Sequence, residues 1–332
     1  MAFPKPRCPL CSRWNECRNT ARIRKEYPSC QSPLLPINIR RASQLLDMIM
    51  PASKAAPSSM RKNLITWIDR YNGRYSEVFE PSLSFDSDGI HAFRFSYAFA
   101  GFKDEPGLLI QEIKRLAGKF GTYPYNAIQK LEPAMNSSFV KQPIIGLAWD
   151  SSNKWRFKFY LQFAEHAGEH ALKLTQAIVN DYRLTKIFMG KSLRLLGLDL
   201  GPDGMKEAKL YFHVPDFKSL DRPFLPTDEN HLLNWMALHG FGPPCDLLSI
   251  HRLTSPGDPG LESPKELDFS LIDSELLLDD LRGNPDILRM LSFPLVKKIF
   301  QEFRLAARRI SVSSPSRNKM NLYYVLAETE KS

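Results

Sequence analysis

The sequence predicts an α+β fold: a ten-stranded antiparallel β-barrel made of five repeated αββα units, with helices outside. Three observations predict it. Strand-like segments come in pairs, and helical stretches separate the pairs. The segment KWRFKFYLQF, residues 154–163, alternates two characters. Trp155, Phe157, Phe159, Leu161 and Phe163 fall on one side of the strand, and Lys154, Arg156, Lys158, Tyr160 and Gln162 on the other, since successive strand residues point to opposite faces. Finally, a spacing recurs. Gly146 is followed twelve and fourteen residues on by Lys158 and Tyr160, and Gly197 at the same offsets by Lys209 and Tyr211. Ser82 leads in the same way to Arg94 and Ser96, and Arg309 to Asn321 and Tyr323. The last interval between anchors is about twice the others, which leaves room for one diverged unit. Ten strands closed on themselves have no unpaired edge.

The elements follow in order. Residues 1–35, rich in Pro, Arg and Cys, form a basic tail. Residues 36–74 hold two helices, around 38–49 and 58–71, split by the breaker-rich PASKAAPSS. The barrel takes residues 75–332. Its first strand pair is 79–86 and 90–99, joined by the turn signal DSDG, and a helix over 106–120 places Leu109, Ile113, Leu116 and Phe120 on one side. The second pair is IIGLAWD with KWRFKFYLQF, followed by a helix near 167–183. The third is LRLLGLDL with EAKLYFHV, followed by a helix near 228–239. The diverged pair is 246–252 with 265–271, around the loop TSPGDPGLESP. Helices near 273–282 and 294–308 precede the closing strands RISVS and KMNLYYVL.

Composition narrows the classes. At 332 residues and 43% hydrophobic, the chain can bury a sizeable core. It has no apolar run near the ~18 residues of a membrane span, and its first residues, MAFPKPRCPLCSRW, lack the apolar core of a signal peptide. A soluble cytoplasmic protein is expected. The net charge of +9 favours acidic partners. Four of the five cysteines, Cys8, Cys11, Cys17 and Cys30, lie in the tail. Their four thiolates are enough for one zinc ion, but only one pair is a tight C-x-x-C, so a basic tail without metal competes with that reading. Cys245 stands alone and reads as a buried structural thiol. HAGEH, residues 166–170, matches the H-x-x-E-H zinc-protease pattern in form only, because Gly168 weakens the helix that would aim both histidines at one metal. A solvated first helical turn is the expected reading. No G-x-x-x-x-G-K-[ST], G-x-G-x-x-G or G-x-S-x-G motif occurs in the sequence.

If the Trp/Phe side of residues 154–163 packs under helices, the Lys/Arg/Tyr side faces the barrel interior. Arg94, Lys158 and Lys209 occupy equivalent positions in three units. Buried cations need a counter-charge, and converging ones suit a diphosphate, each charge-assisted hydrogen bond contributing roughly 1.5–3 kcal/mol. Tyr160, Tyr211 and Tyr323 lie two residues further along their strands, where aromatic faces can stabilise a cation by about 0.5–2 kcal/mol each. Anion clamps beside aromatic walls fit a reaction that expels diphosphate and forms a carbocation. Arg156, Asn321 and His213 are further candidates for the same interior.

Strand pairs ending in K-x-Y resemble the aromatic prenyltransferases with the ABBA (αββα) barrel. VFEPSLSF followed by HAFRFSYAF is similar to the opening of the indole, dimethylallyltryptophan-synthase type. The resemblance implies a metabolic enzyme of secondary metabolism that moves an allylic prenyl group, the dimethylallyl group first, from its diphosphate to an aromatic acceptor such as an indole. It places a Glu that contacts the indole N–H at Glu80 and a diphosphate-binding Arg at Arg94. It also places the lysine and tyrosine roles at Lys158 and Tyr160 and at Lys209 and Tyr211, with Asn321 and Tyr323 matching in the last unit. Arg317 or Lys319 would help to hold the diphosphate. With basic side chains as counter-charge no cofactor is required and Mg²⁺ is not expected to be essential; Asp279-Asp280 is followed by Leu-Arg-Gly rather than completing D-D-x-x-D. The chain departs from the family pattern at Glu207, where an Arg often stands, and at Asp268 and Ser270 in the diverged unit. The expected partners are these two small molecules, with no membrane. The rival reading is RNA or single-stranded nucleic-acid binding on a basic, aromatic sheet. The fixed offsets of the K-x-Y positions suit a closed interior better. A barrel that binds a phosphorylated ligand without turnover is a third reading.

Overall fold

A computed structural model of the chain describes residues 39–49, 62, 65, 66, 76–86, 89–99, 106–119, 125–150, 155–201, 204–214, 246–261, 266–270, 293, 294, 298, 305–313 and 320–326. Cys8, Cys11, Cys17, Cys30, Cys245, Arg317, Lys319 and the helices expected at 228–239 and 273–282 lie outside the described residues, as does most of the stretch 58–71.

Helix α1 spans Ile39–Ile49. Strands β1 (Ser76–Asp86) and β2 (Gly89–Phe99) form the first hairpin, and helices α2 (Pro106–Lys119) and α3 (Tyr125–Met135) follow. The second hairpin is β3 (Val140–Asp150) with β4 (Trp155–Phe163). Helices α4 (Gly168–Val179) and α5 (Leu184–Ile187) lead to β5 (Leu193–Gly201) and β6 (Gly204–His213). Strands β7 (Asp246–Leu253) and β8 (Glu266–Ser270) form the diverged hairpin, and β9 (Leu305–Ser313) and β10 (Met320–Leu326) the last. All ten strands pair antiparallel in the cyclic order β1-β10-β9-β8-β7-β6-β5-β4-β3-β2, and β1 bonds to both β2 and β10. No helix among the described residues is long and apolar enough to cross a membrane.

The offset of twelve residues has a direct physical meaning. Ser82 lies opposite Arg94, Gly146 opposite Lys158 and Gly197 opposite Lys209. Each repeat is therefore one hairpin of nearly constant length. The last hairpin differs: Arg309 faces Tyr323, and Asn321 faces Ser311. Because this slip is two residues, Asn321 keeps its face.

Register carries one face around the ring. Ser96, Gly146, Lys158, Asp199 and Glu207 are successive partners across β2 to β6. Ser84, Asn321, Ser311 and Asp268 continue it through β1, β10, β9 and β8. The opposite face of β4 and β5 holds Phe157, Phe159, Leu161, Leu196, Leu198 and Leu200, all buried. Helix α3 packs on β3 and α4 on β5. Alternation alone thus separates an apolar side under helices from a polar side, the division that removes most apolar surface from water.

Three local expectations change, and the reading of HAGEH as a solvated helix start holds. Helix α3 was not anticipated; Pro133 sits inside it, which masks an apolar stripe whose buried members are Leu131, Ala134 and Met135. The helix expected over 167–183 ends at Val179, where Asn180 turns left-handed at φ 58° and its N–H donates to the Gln176 carbonyl. The helix expected over 294–308 yields to strand at Leu305, because Leu305, Ala306 and Ala307 pair with β10, and ladder pairing overrides their helix propensity. In HAGEH, a 3-10 turn over Glu165–Ala167 ends at Gly168 with φ 48°. His166 and His170 are exposed beside the Phe139 ring, and His170 stacks on it at 4.2 Å.

Two positions tie the hairpins together. Gly197 stands in mid-strand, where a glycine costs stability. A Cβ there would lie 2.8 Å from Tyr160 Cε1 and 3.4 Å from Tyr211 Cε2, so the missing side chain is what lets both rings lie over β5. Gly197→Ala is expected to lower stability by about 1–3 kcal/mol through overpacking. That loss should shrink in a Tyr160→Ala background, a coupling that a double-mutant cycle of urea melts would measure. Asp181, buried between α4 and α5, accepts from the Arg183 N–H and Nε at 3.0 Å, from Arg183 Nη2 at 2.7 Å and from the Gly257 N–H at 3.1 Å. It so pins the β7–β8 loop, and the Arg183 hydrogen bonds hold its carboxyl below the usual carboxylate range. Asp181→Ala should cost about 2–4 kcal/mol. In the wild type this stabilisation is complete at neutral pH and is lost as pH falls below roughly 4. Urea midpoints at pH 7 and pH 3 would check both, with the variant flatter between them.

Candidate functional site

The polar face gathers ionisable side chains from strands far apart in sequence. Lys158 on β4 is 4% exposed and Lys209 on β6 is 7% exposed. An ammonium so far from water needs a resident anion. Lys158 Nζ donates to Asp199 Oδ1 on β5 at 2.5 Å. Lys209 Nζ donates to Glu266 Oε1 at 3.4 Å, reaching from β6 past β7 to β8. Arg252, the cross-strand partner of Lys209, donates to Glu207 Oε1 at 3.1 Å and pairs with Glu266 as well.

Burial pushes the Lys158 ammonium down to about 7; Asp199 opposes this, and the charges of Lys209 and Arg94 add to it. Burial also brings Lys209 down to about 7, with Arg252 and Arg94 contributing, against Glu207 and Asp199. Burial alone would raise the Asp199 carboxyl, but Lys158, Lys209 and Arg156 together hold it below its ordinary value. Arg94 on β2 thus acts on lysines of β4 and β6, and all three side chains share one interior.

Arg94 also spans β1. Its Nη2 donates to Asn321 Oδ1 on β10 at 2.5 Å, and Asn321 Nδ2 donates to Ser311 Oγ at 2.6 Å. Ser82 and Ser84 on the intervening strand are buried, and their hydroxyls meet no hydrogen-bond partner among the described residues. Residues this small let the guanidinium cross β1.

Beyond the lysines the face turns apolar. The Tyr160 and Tyr211 rings meet edge to face at 6.5 Å, and Leu195, Leu248 and Ile250 pack around them. A charged layer therefore abuts an aromatic and aliphatic layer. Such an arrangement can hold an anionic group at one level and an apolar or cationic group at the next.

Among the residues expected from sequence, Arg94, Lys158, Lys209, Tyr160, Tyr211 and Asn321 come together here. Arg156 lies one rung beyond Lys158, bonds to Asp199 Oδ2 at 3.5 Å, and its side chain is 41% exposed. It reaches toward water while sharing the carboxylate. His213 is half-buried opposite Leu248, and its backbone N–H donates to the Ser192 carbonyl at 2.9 Å. Glu80 stands opposite Ser96 in the β1–β2 register, and Tyr323 opposite Ser82. Among the described residues no His, Cys, Asp and Glu side chains cluster as metal ligands.

Sequence reasoning missed Asp199, Glu266 and Arg252. The signal for Asp199 was present: in LRLLGLDL it shares the alternation of Gly197. Glu266 and Arg252 sit in the diverged hairpin, where the repeat is weakest.

No family profile matches the chain, and no curated protein matches it. Solved structures do. A 6-dimethylallyltryptophan synthase from Micromonospora olivasterospora is 15% identical, with 87% of this chain and 98% of that one covered and a TM-score of 0.57. A 5-dimethylallyl tryptophan synthase from Streptomyces coelicolor, solved with DMASPP and Trp, is 11% identical over 90% and 98% of the two chains, at 0.63. The prenyltransferase PriB, in a ternary complex with L-tryptophan and dimethylallyl thiolodiphosphate, is 13% identical over 86% and 95%, at 0.61. The chain has the fold of these aromatic prenyltransferases.

Proposed function

We propose that the barrel is an aromatic prenyltransferase, built as five αββα units, that takes an allylic prenyl diphosphate, dimethylallyl first, and an aromatic acceptor such as an indole. The observation that carries this reading is the adjacency of two buried lysines, Lys158 and Lys209, to the Tyr160–Tyr211 pair. The solved structures of the same fold that hold a dimethylallyl diphosphate analogue beside tryptophan support it.

In this reading Arg94, Lys158 and Lys209 receive the diphosphate, with Arg317 or Lys319 adding to them. As the allylic C–O bond breaks, negative charge grows on the departing oxygen, and pre-placed cations stabilise it without reorganisation. The electron pair leaves with the diphosphate. Tyr160 and Tyr211, with Tyr323 from β10, face the allylic cation and keep water from it. The acceptor ring supplies the pair for the new C–C bond and then loses a proton to restore aromaticity. Glu80 orients the acceptor and takes that proton. Counter-charge comes from side chains, so turnover does not depend on a divalent ion.

Incubation with dimethylallyl diphosphate and a panel of indoles and phenols, in EDTA, should release diphosphate and add one prenyl unit to an acceptor, read by mass spectrometry. Absence of release with any C5–C15 donor would overturn the reading. Lys158→Ala and Lys209→Ala should each weaken donor binding about tenfold to a hundredfold, the equivalent of one charge-assisted hydrogen bond, with circular dichroism unchanged. Unchanged donor affinity in both folded variants would remove the clamp assignment.

A further inference from the structure

Lys158 and Lys209 are each paired with a carboxylate, and the transfer chemistry proposed above gives neither carboxylate a role. Asp199 is 4% exposed, lies opposite Lys158 in register and holds its ammonium at 2.5 Å. It has a second cation in Arg156 at 3.5 Å, which is far more exposed than Lys158. An anion entering from solvent meets a lysine already paired. Asp199 can release Lys158 without being stranded, because Arg156 remains.

We propose that Asp199 is a positioning residue, a resident counter-ion that holds and aims the Lys158 ammonium and yields it to the anionic group of an arriving ligand. The identity of that anionic group rests on the prenyl-diphosphate reading above; the counter-ion role does not. The charge balance around Lys158 supports it. The strands paired with β4 present Gly146 and Ala148 from β3, which have nothing to titrate, and Asp199 from β5. Arg94 and Lys209 act from across the interior to drive Lys158 toward neutrality. Arg156 and Tyr160 share the strand, and Arg156 adds a further positive charge. Around Lys209 stand Glu207, Tyr211, Arg252 and Glu266. Asp199 is the carboxylate that opposes the loss of the Lys158 proton, through both charge and hydrogen bond.

Burial draws the Lys158 ammonium down to about 7, and an incoming anion favours its charged form and so draws a proton from solvent. Without the Asp199 charge the proton is lost at lower pH, so anion binding fades at lower pH and takes up more protons at pH 7.

The test uses the full chain with inorganic diphosphate as probe. Reductive ¹³C-methylation followed by NMR titration reads Lys158 directly, assigned by its absence in Lys158→Arg. Calorimetry from pH 5.5 to 8.5, in buffers of different ionisation heat, reads diphosphate affinity and proton uptake. In Asp199→Asn the Lys158 midpoint should move acid by about one pH unit, or about tenfold in diphosphate affinity above the midpoint. Asp199→Glu, with the same charge on a longer arm, should keep both near wild type. An unmoved Lys158 midpoint in folded Asp199→Asn overturns the proposal even where diphosphate binds. A moved midpoint without diphosphate binding in the wild type supports the counter-ion role and refutes the diphosphate reading. Should Asp199→Asn not fold, Asp199→Glu decides: retained binding and midpoint support the counter-ion, and loss of both overturns it in favour of packing.

Discussion

Bringing an ammonium out of water costs several kcal/mol unless something negative meets it, and the interior of this barrel is organised around that cost. Lys158 and Lys209 are each met by a carboxylate from another strand, Asp199 and Glu266. Those carboxylates also hold Arg156 and Arg252. The result is two clusters of paired charge, one joining β4 to β5 and the other joining β6, β7 and β8. Closure of the sheet is what makes it feasible: a flat sheet would leave Lys209 and Glu266, two strands apart, to the solvent, where such pairs contribute little.

The balance between desolvation and counter-charge also sets the state of the lysines. Both are brought to about 7, so neither is fixed as a permanent cation at neutral pH. A site built this way responds to its ligand. An arriving anion raises the lysine pKa values and recruits protons, whereas a neutral molecule of the same shape gains no such term. Selectivity for charge is thereby coupled to protonation, and it rests on carboxylates that need not touch the ligand.

How far the sequence reveals this depends on whether an interaction is local along the chain. The two-faced character of β4 is visible in KWRFKFYLQF because strand alternation needs only adjacent residues. Hairpin register is nearly as legible: a constant offset of twelve places Arg94, Lys158 and Lys209 opposite Ser82, Gly146 and Gly197. Convergence of the cations was therefore readable from spacing. Their partners were not. Asp199 meets Lys158 across the junction of two hairpins, and Glu266 meets Lys209 across a whole strand; no spacing rule ties residues separated by a variable helical segment. The Arg94–Asn321 bond was equally hidden, since it joins strands from opposite ends of the chain.

The two layers of the interior give these electrostatics a direction. Gly197 is the hinge of the arrangement in a steric sense: its missing side chain seats Tyr160 beside Tyr211, one rung from the lysines. Charge on one side and aromatic rings on the other form a gradient from ionic to apolar surface within a few residues of strand. A substrate whose reactive bond joins an anionic leaving group to a carbon that becomes cationic lies along that gradient in one orientation only. Reversing it would set the anion against the tyrosine rings and the carbon against the lysines, losing both interactions at once. The same strand period that divides inside from outside, repeated in β4 and β6, therefore also sets the charged level beside the aromatic one.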